Sequence, residues 1–239
     1  MAPFLSTTLL ILTTSPNTFL EVCLSPGCMA DGAPLVLERL SALTPLSIEV
    51  KPGTCQSLCG KGPIVIQNGI ERKTIYKRIK RDSLLKMLKD DLGISVPLDL
   101  INSLDLIEQA QEAANAKMYD KAIELYHEGM EKSKSISSNE YDKNWMCKAH
   151  LGLAKVLLII GDAESAADEV REAMTINEDD NDALELLVSI CNQKRDSIGE
   201  FTALSKLLAQ SQDNQSRDIA IRRRTQGFRL QKLQQELEK

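Results

Sequence analysis

The sequence is poor in the side chains that most often announce chemistry. Its 239 residues include two histidines, one tryptophan, four phenylalanines and four tyrosines. With aromatics at 4%, a core must be built from Leu, Ile, Val and Ala, which suits helices. His127 and His150 have no ligand-spaced partner and read as ordinary helix residues. There is no Walker motif, no dinucleotide fingerprint and no nucleophile elbow, and nothing outlines a substrate pocket, so a stand-alone enzyme is not expected. No apolar run approaches bilayer length, so no transmembrane segment is expected. A net charge of −5 carries no nucleic-acid signature. With 43% hydrophobic and 26% charged residues, collagen-like and wholly disordered chains are excluded. Six cysteines are too few to staple a chain this long, so their positions must carry the information.

Those positions are uneven, and so is the charge. Residues 1–95 hold 11 Lys and Arg against 8 Asp and Glu, whereas residues 96–239 hold 18 against 26. Cys23, Cys28, Cys55 and Cys59 fall in the first part, Cys147 and Cys191 in the second. Both asymmetries place a boundary near Ser95-Val96-Pro97. Residues 1–17 read as a leader or a targeting remnant: Met1 to Leu20 has no charged side chain and seven Ser or Thr. It lacks the basic start of a secretory signal and the arginines of a mitochondrial presequence. Its composition is vaguely plastid-like, and the competing reading is an untidy lead into a first strand.

From there to residue 95 the pattern is β-α-β-β-β-α. Strands are expected at Thr18–Cys23, Ser47–Val50, Pro63–Gln67 and Thr74–Ile79, the last two as a hairpin turning at Asn68-Gly69. A helix from Ala33 would use Leu35, Leu37, Leu40 and Leu43, capped by Asp31 or Gly32, and a second would start at Asp82 and end at Gly93. After Pro97 no strand is expected. Helices are read at 104–117, 120–134, 141–160, 163–175, 182–194 and 198–209, with a polar helix within 213–239 that caps the array. His127 and His150 fall within two of them.

The helices repeat. Ala122, Ala166 and Glu200 occupy one position of a second helix; Tyr119, Ala163 and Ser197 lie three residues before it, and Tyr126, Val170 and Leu204 four after. Ala110, Ala154 and Val188 occupy one position of the preceding helix. The last two repeats are 34 residues apart and the first two 44, the excess being assigned to a loop at Ser133–Glu140. Small residues at such positions let helices approach, and hairpins then stack. Over residues 100–210 this pattern resembles the tetratricopeptide repeat (TPR). The resemblance implies an all-α solenoid that holds a protein partner. The departures are the absent Trp, Gly129 in place of Ala, Glu178 in place of Pro, and a weak third repeat.

The sharpest motif is Cys23-x4-Cys28 followed by Cys55-x3-Cys59. The strands around them put all four on loops at one end of a small sheet. Four thiolates suit a [2Fe–2S] cluster or Zn²⁺. Zinc ribbons favour tight Cys-x2-Cys knuckles, absent here. Disulfides at the two pairs are the other alternative. Cys147 and Cys191 lie at apolar helix positions and read as structural.

The stretch Cys55-Gln-Ser-Leu-Cys59-Gly60-Lys61-Gly62-Pro63-Ile64-Val65-Ile66 resembles the second cysteine loop of the thioredoxin-like [2Fe–2S] ferredoxins, a family that includes the thioredoxin-like subunit of respiratory complex I. The resemblance covers residues 18–95. It implies an α+β thioredoxin-like ferredoxin domain, a [2Fe–2S] cluster held by Cys23, Cys28, Cys55 and Cys59, and close backbone approach at Gly60 and Gly62. The fold expected for the whole chain is that domain followed by an all-α TPR-type helical solenoid.

Two charge runs remain. Arg72, Lys73, Lys77, Arg78, Lys80 and Arg81 read either as a solvated edge strand or as a docking patch for an acidic redox partner. Arg222-Arg223-Arg224, Arg229 and Lys232 read as a solubilising end of the helical array rather than a nucleic-acid site. Two functions fit. The first is an electron carrier docked by its repeats to a protein or multisubunit redox complex, peripheral to a membrane where that complex is embedded. The second is a TPR scaffold, assembly factor or accessory subunit of a photosynthetic or respiratory complex, with a structural cluster. The expected compartment is an organelle, plastid ahead of mitochondrion, with the cytoplasm as the alternative.

Overall fold

A computed structural model describes residues 19–58, 60–69, 73–134, 136, 141–210, 227 and 229–235, with residues 208 and 210 described in their backbone alone. The expected leader at 1–17, Thr18, Cys59, Arg72, the Arg222–Arg224 run and most of the expected last helix lie outside the described residues. The chain divides into two compact units. One contains the described residues up to Ile101 together with Tyr141 and Asp142; the other contains the described residues from Asn102 to 136 and from Lys143 onward.

The first unit contains β1 (Phe19–Cys23), α1 (Pro26–Ala30), α2 (Ala33–Leu43), β2 (Glu49–Gly53), β3 (Ile64–Asn68), β4 (Lys73–Lys77) and α3 (Arg81–Lys86), which runs on into a π-helical turn at Met87–Asp91. The sheet order is β2-β1-β3-β4. β1 is parallel to β2 and antiparallel to β3, and β3 is antiparallel to β4. Parallel neighbours need a crossover, which α1 and α2 supply. The central strands are the most apolar: Leu20 and Val22 of β1 and Ile64, Val65 and Ile66 of β3 are buried. Edge strand β2 starts later than the sequence suggested and includes Pro52, which an edge tolerates because its missing N–H leaves no central ladder broken. Edge strand β4 exposes Lys73, Ile75 and Lys77. Lys51 stacks over the Phe19 ring at 3.8 Å.

Two local expectations change. The buried stripe of α2 is Ala33, Val36, Leu40 and Leu43, while Leu35 is half exposed. A 3.6-residue period started at Ala33 selects Val36, not Leu35 or Leu37. Asp82 does not cap α3. Lys80 is the N-cap residue, its N–H donating to Ser83 Oγ at 2.8 Å, and Asp82 lies in the first turn, where a carboxylate favours the helix dipole.

The second unit holds α4 (Leu98–Asn115) from Asn102 on, α5 (Tyr119–Ser133), α6 (Asn144–Ile160), α7 (Ala163–Ile176), α8 (Asn181–Lys194), α9 (Ser197–Gln210) and a helical stretch at 229–235. The boundaries have identifiable causes. Asp162, Asp180 and Asp196 each accept a backbone N–H, from Ser165, Ala183 and Gly199 respectively, at 3.0 Å. Gly161 ends α6 in the left-handed conformation, φ 94°. α6 packs on α7 and α8 on α9; α5–α6 and α7–α8 join the pairs, and α6 also touches α8.

The repeat positions are the packing positions. Ala110, Ala154, Ala122 and Ala166 are fully buried, as are Tyr126, Val170 and Leu204 to within a few per cent; Val188 is half-buried. Gly129 departs from the repeat pattern for a steric reason. Ser103 Oγ donates to its carbonyl at 2.6 Å, and a Cβ there would lie 3.1 Å from Ser103 O and 3.0 Å from Ile107 Cγ1. Glu200 has its own explanation. Its carboxylate is buried, and it is bound by Arg229, whose Nη2 also donates to Asn192 Oδ1 at 2.7 Å. A buried charge without such a partner would be strongly destabilising. His150, expected to stand alone, instead meets Glu169 across α6 and α7, Nδ1 to Oε2 2.8 Å, a pairing invisible until the hairpin closes.

Gly152 lies under the buried Tyr126 hydroxyl, and a Cβ there would stand 2.7 Å from Tyr126 Cζ. Gly152→Ala should therefore destabilise the helical unit by about 1–3 kcal/mol, because the buried Tyr126 ring would have to shift; an unchanged urea midpoint would refute this. Burial pushes the Cys147 and Cys191 thiols above their ordinary 9.0, and neighbouring carboxylates add to it: Asp180 and Asp182 for Cys147, Asp196 and Glu200 for Cys191. The folded chain then holds protons the unfolded chain releases, so stability should be intact below pH 9 and fall as pH rises above it. Cys147→Ala should flatten that fall in a denaturation series across pH 8–10.

Candidate functional site

Strand directions assemble the site. Because β1 and β2 are parallel, Cys23 and Gly53 end side by side. β3 runs the other way, so its first residues arrive at the same end, Val65 opposite Val22. Cys23, Cys28, Cys55 and the Gly60–Pro63 loop are thereby gathered there. Cys28 is not in a loop, as the sequence suggested, but inside the short helix α1, and Pro at that helix's start makes the turn abrupt.

Cys23 and Cys28 are both about 1% exposed and are free thiols. Burial raises the Cys23 thiol, but hydrogen bonding with Ser25, whose Oγ accepts from the Cys23 sulfur at 3.4 Å, and then with Cys28 brings it below its ordinary value. Cys28 is raised, first by burial and then by the neighbouring Cys23. Cys55 is exposed two residues past β2, its sulfur 3.4 Å from the Ser57 N–H. Gln56 beside it accepts from Lys73 Nζ at 2.8 Å. Cys59 lies outside the described residues.

The two glycines expected to allow close backbone approach divide the task. Gly60 has a left-handed backbone, φ 79°, with open space where a Cβ would stand. Gly62 is the close approach: a Cβ there would lie 2.8 Å from Asp31 Oδ2 and 3.0 Å from Cys28 Sγ. The Gly62–Pro63 peptide bond is cis. Thus Cys23, Cys28 and Gly62 are brought into contact, and Cys55 shares their end of the sheet. Among the described residues no three His, Cys, Asp or Glu side chains are gathered closely enough to hold a metal ion. Sequence reasoning missed Ser25 and Asp31 as neighbours of the thiols. Ser25 was readable from its place between the two cysteines, whereas Asp31 was seen only as a cap.

No known family description matches the sequence, and no curated protein does. Among the solved structures that share a slight likeness are two TPR domains. One is the first TPR of Spaghetti (RPAP3) bound to an HSP90 peptide, SRMEEVD, at 15% identity and TM-score 0.44, covering 58% of this chain and 94% of that one. The other is the first TPR domain of the human RPAP3 protein, at 15% identity and TM-score 0.43, covering 56% and 96%. Both are TPR domains.

The two glycines predict different responses. Gly62→Ala must displace Cys28 or Asp31 and should cost about 1–3 kcal/mol, with a measurable rise in Cys28 alkylation. Gly60→Ala meets no atom and should cost only about 1 kcal/mol, through its left-handed backbone, with alkylation unchanged. Equal behaviour of the two variants in thermal denaturation and thiol labelling would contradict this division.

Proposed function

We propose that the chain is a protein-interaction scaffold of the TPR kind, whose stacked helix pairs hold a protein partner. The observation that supports it most directly is the packing sequence itself. α6–α7 and α8–α9 form successive pairs joined through α7–α8, and α6 also reaches α8, so each pair rests on the next. Such stacking presents a continuous surface of aligned helices, the usual recognition face of solenoids. Ile159 and Ile160, exposed at the end of α6, offer a partner apolar side chains. Nothing in this reading requires bond chemistry by the chain. Among the described residues no helix is long and apolar enough to cross a membrane.

A second reading is favoured by the thiol pair: a [2Fe–2S] electron-transfer module of the thioredoxin-like ferredoxin type. The β-α-β-β-β-α order, the sheet order and the contact of Gly62 with Cys28 support it. Cys23 and Cys28 would hold one iron, and Cys55 with Cys59 the other. Such a cluster, when bound, supplies one-electron exchange. The chain's part would be to hold the Cys23 and Cys28 sulfurs side by side and to press the Gly62 loop against Cys28. An organellar location, plastid ahead of mitochondrion, belongs to this same reading and rests on the composition of residues 1–17.

Affinity capture with the full chain should recover a protein that Ile159→Asp loses, with the circular dichroism spectrum unchanged; undiminished capture by the variant would count against the stacked-helix surface. For the second reading, protein purified without oxygen should be coloured, contain about two irons per chain, and show a paramagnetic signal after dithionite that Cys23→Ser abolishes. Colourless protein, or protein loaded with zinc, would remove the electron-transfer reading and leave the scaffold.

A further inference from the structure

The cysteine end of the sheet also carries a cationic arc. Lys77 closes β4 opposite Ile64, one residue beyond the Val65–Val22 pair and so level with Cys23. The chain turns sharply at Arg78, whose backbone is left-handed at φ 53°. The Arg78 N–H donates to the Lys61 carbonyl at 3.0 Å, and the Ile79 N–H to the Pro63 carbonyl at 3.2 Å. These two bonds tie the segment after β4 to the Gly60–Lys61–Gly62 loop. Ile79 is buried, whereas Lys61, Lys77, Arg78 and Lys80 are exposed. Arg81, the next cation, is paired with Asp82 at 3.8 Å and stands outside the arc.

Protection of an edge strand explains cations on the ladder, such as Lys73 and Lys77, but not those beyond it. Lys61 precedes β3, and Arg78 and Lys80 follow β4, so all three lie off the ladder. Arg78 also occupies a conformation that glycine or asparagine adopts more easily, so folding alone does not select arginine there.

We propose that Lys61, Lys77, Arg78 and Lys80 form a docking arc for an acidic protein surface, seated over the cysteine end of the sheet. The inference goes beyond the stacked-helix reading, which concerns the other unit, and does not depend on a bound metal. A protein is the occupant because the arc is short and carboxylates stand at its margins. Asp31 lies against Gly62 on one side and Asp82 follows on the other. A phosphate polymer or an anionic membrane selects uninterrupted cation density. Mixed sign at the rim gives a protein partner its register. In a chain of net charge −5 the attraction must be local, which makes it sensitive to salt.

The test uses the full chain and a labelled glutamate-rich peptide, read by fluorescence anisotropy, beside phosphatidylserine vesicles and duplex DNA. The peptide should bind at low salt and weaken steeply towards about 0.15 M. Lys61→Glu combined with Lys77→Glu should weaken it roughly tenfold. Arg78→Gly should weaken it too while leaving the melting temperature unchanged or higher, since glycine relieves the left-handed backbone. Ile159→Asp should leave peptide binding intact, which separates this arc from the stacked helices. No peptide binding, equal binding by the charge-reversed variant, or tighter binding to vesicles or DNA that the same variant abolishes would overturn the proposal.

Discussion

Close approach of main chains at positions without a side chain is the constraint on which both units depend. In the first, Gly62 lets the loop before β3 lie against Cys28 and Asp31. In the second, Gly129 lets α5 meet α4 at Ser103, and Gly152 accepts the Tyr126 ring. Fully buried Ala110, Ala122, Ala154 and Ala166 continue the same principle with one methyl each. A chain so poor in aromatics cannot fill wide gaps between elements, so it narrows the gaps instead. Packing density is then reached with small residues, and each contact becomes sensitive to a single added carbon.

Narrow gaps leave little room for water, so polar groups inside them must find protein partners. Glu200 takes Arg229, and Ser103 takes the Gly129 carbonyl. His150 takes Glu169. Each pair links different helices. These links specify which helix faces which, where apolar contacts between Ala and Leu would tolerate sliding. The one buried hydroxyl without a partner among the described residues is Thr44 Oγ1, just past α2, and nothing in the structure explains it.

The order of elements was readable from the sequence because its signals are local. The short strands of the first unit and the breaks between successive helices of the second each depend on neighbours a few residues away. The repeat was readable because small residues recur at fixed spacing. What escaped was set by partners distant in sequence. His150 looked solitary because Glu169 is on the next helix. Glu200 looked like a defect in a weak repeat because Arg229 is 29 residues on. Gly129 looked like a departure from pattern, although Ser103 requires it. At the candidate site, the convergence of Cys23, Cys28 and the Gly62 loop was legible from strand order. The division of labour between Gly60 and Gly62 was not, since it depends on backbone angles and on what stands opposite.

The thiol pair shows how fold and chemistry are linked at that site. A parallel β1–β2 pair sends the chain out of the sheet at Cys23, and the crossover begins at once with Ser25-Pro26. Pro26 starts α1 and brings Cys28 back within one turn, so a buried thiol faces another with one serine beside them. Two buried thiols with different proton affinities are more than core filler, because a core would be as well served by alanine or valine. The environment around them is built from local backbone and one hydroxyl. The Gly62 loop is already pressed against the second sulfur. Strand direction, Pro26 and the Gly62 loop together fix that corner, so the cost of ordering it is met within folding itself.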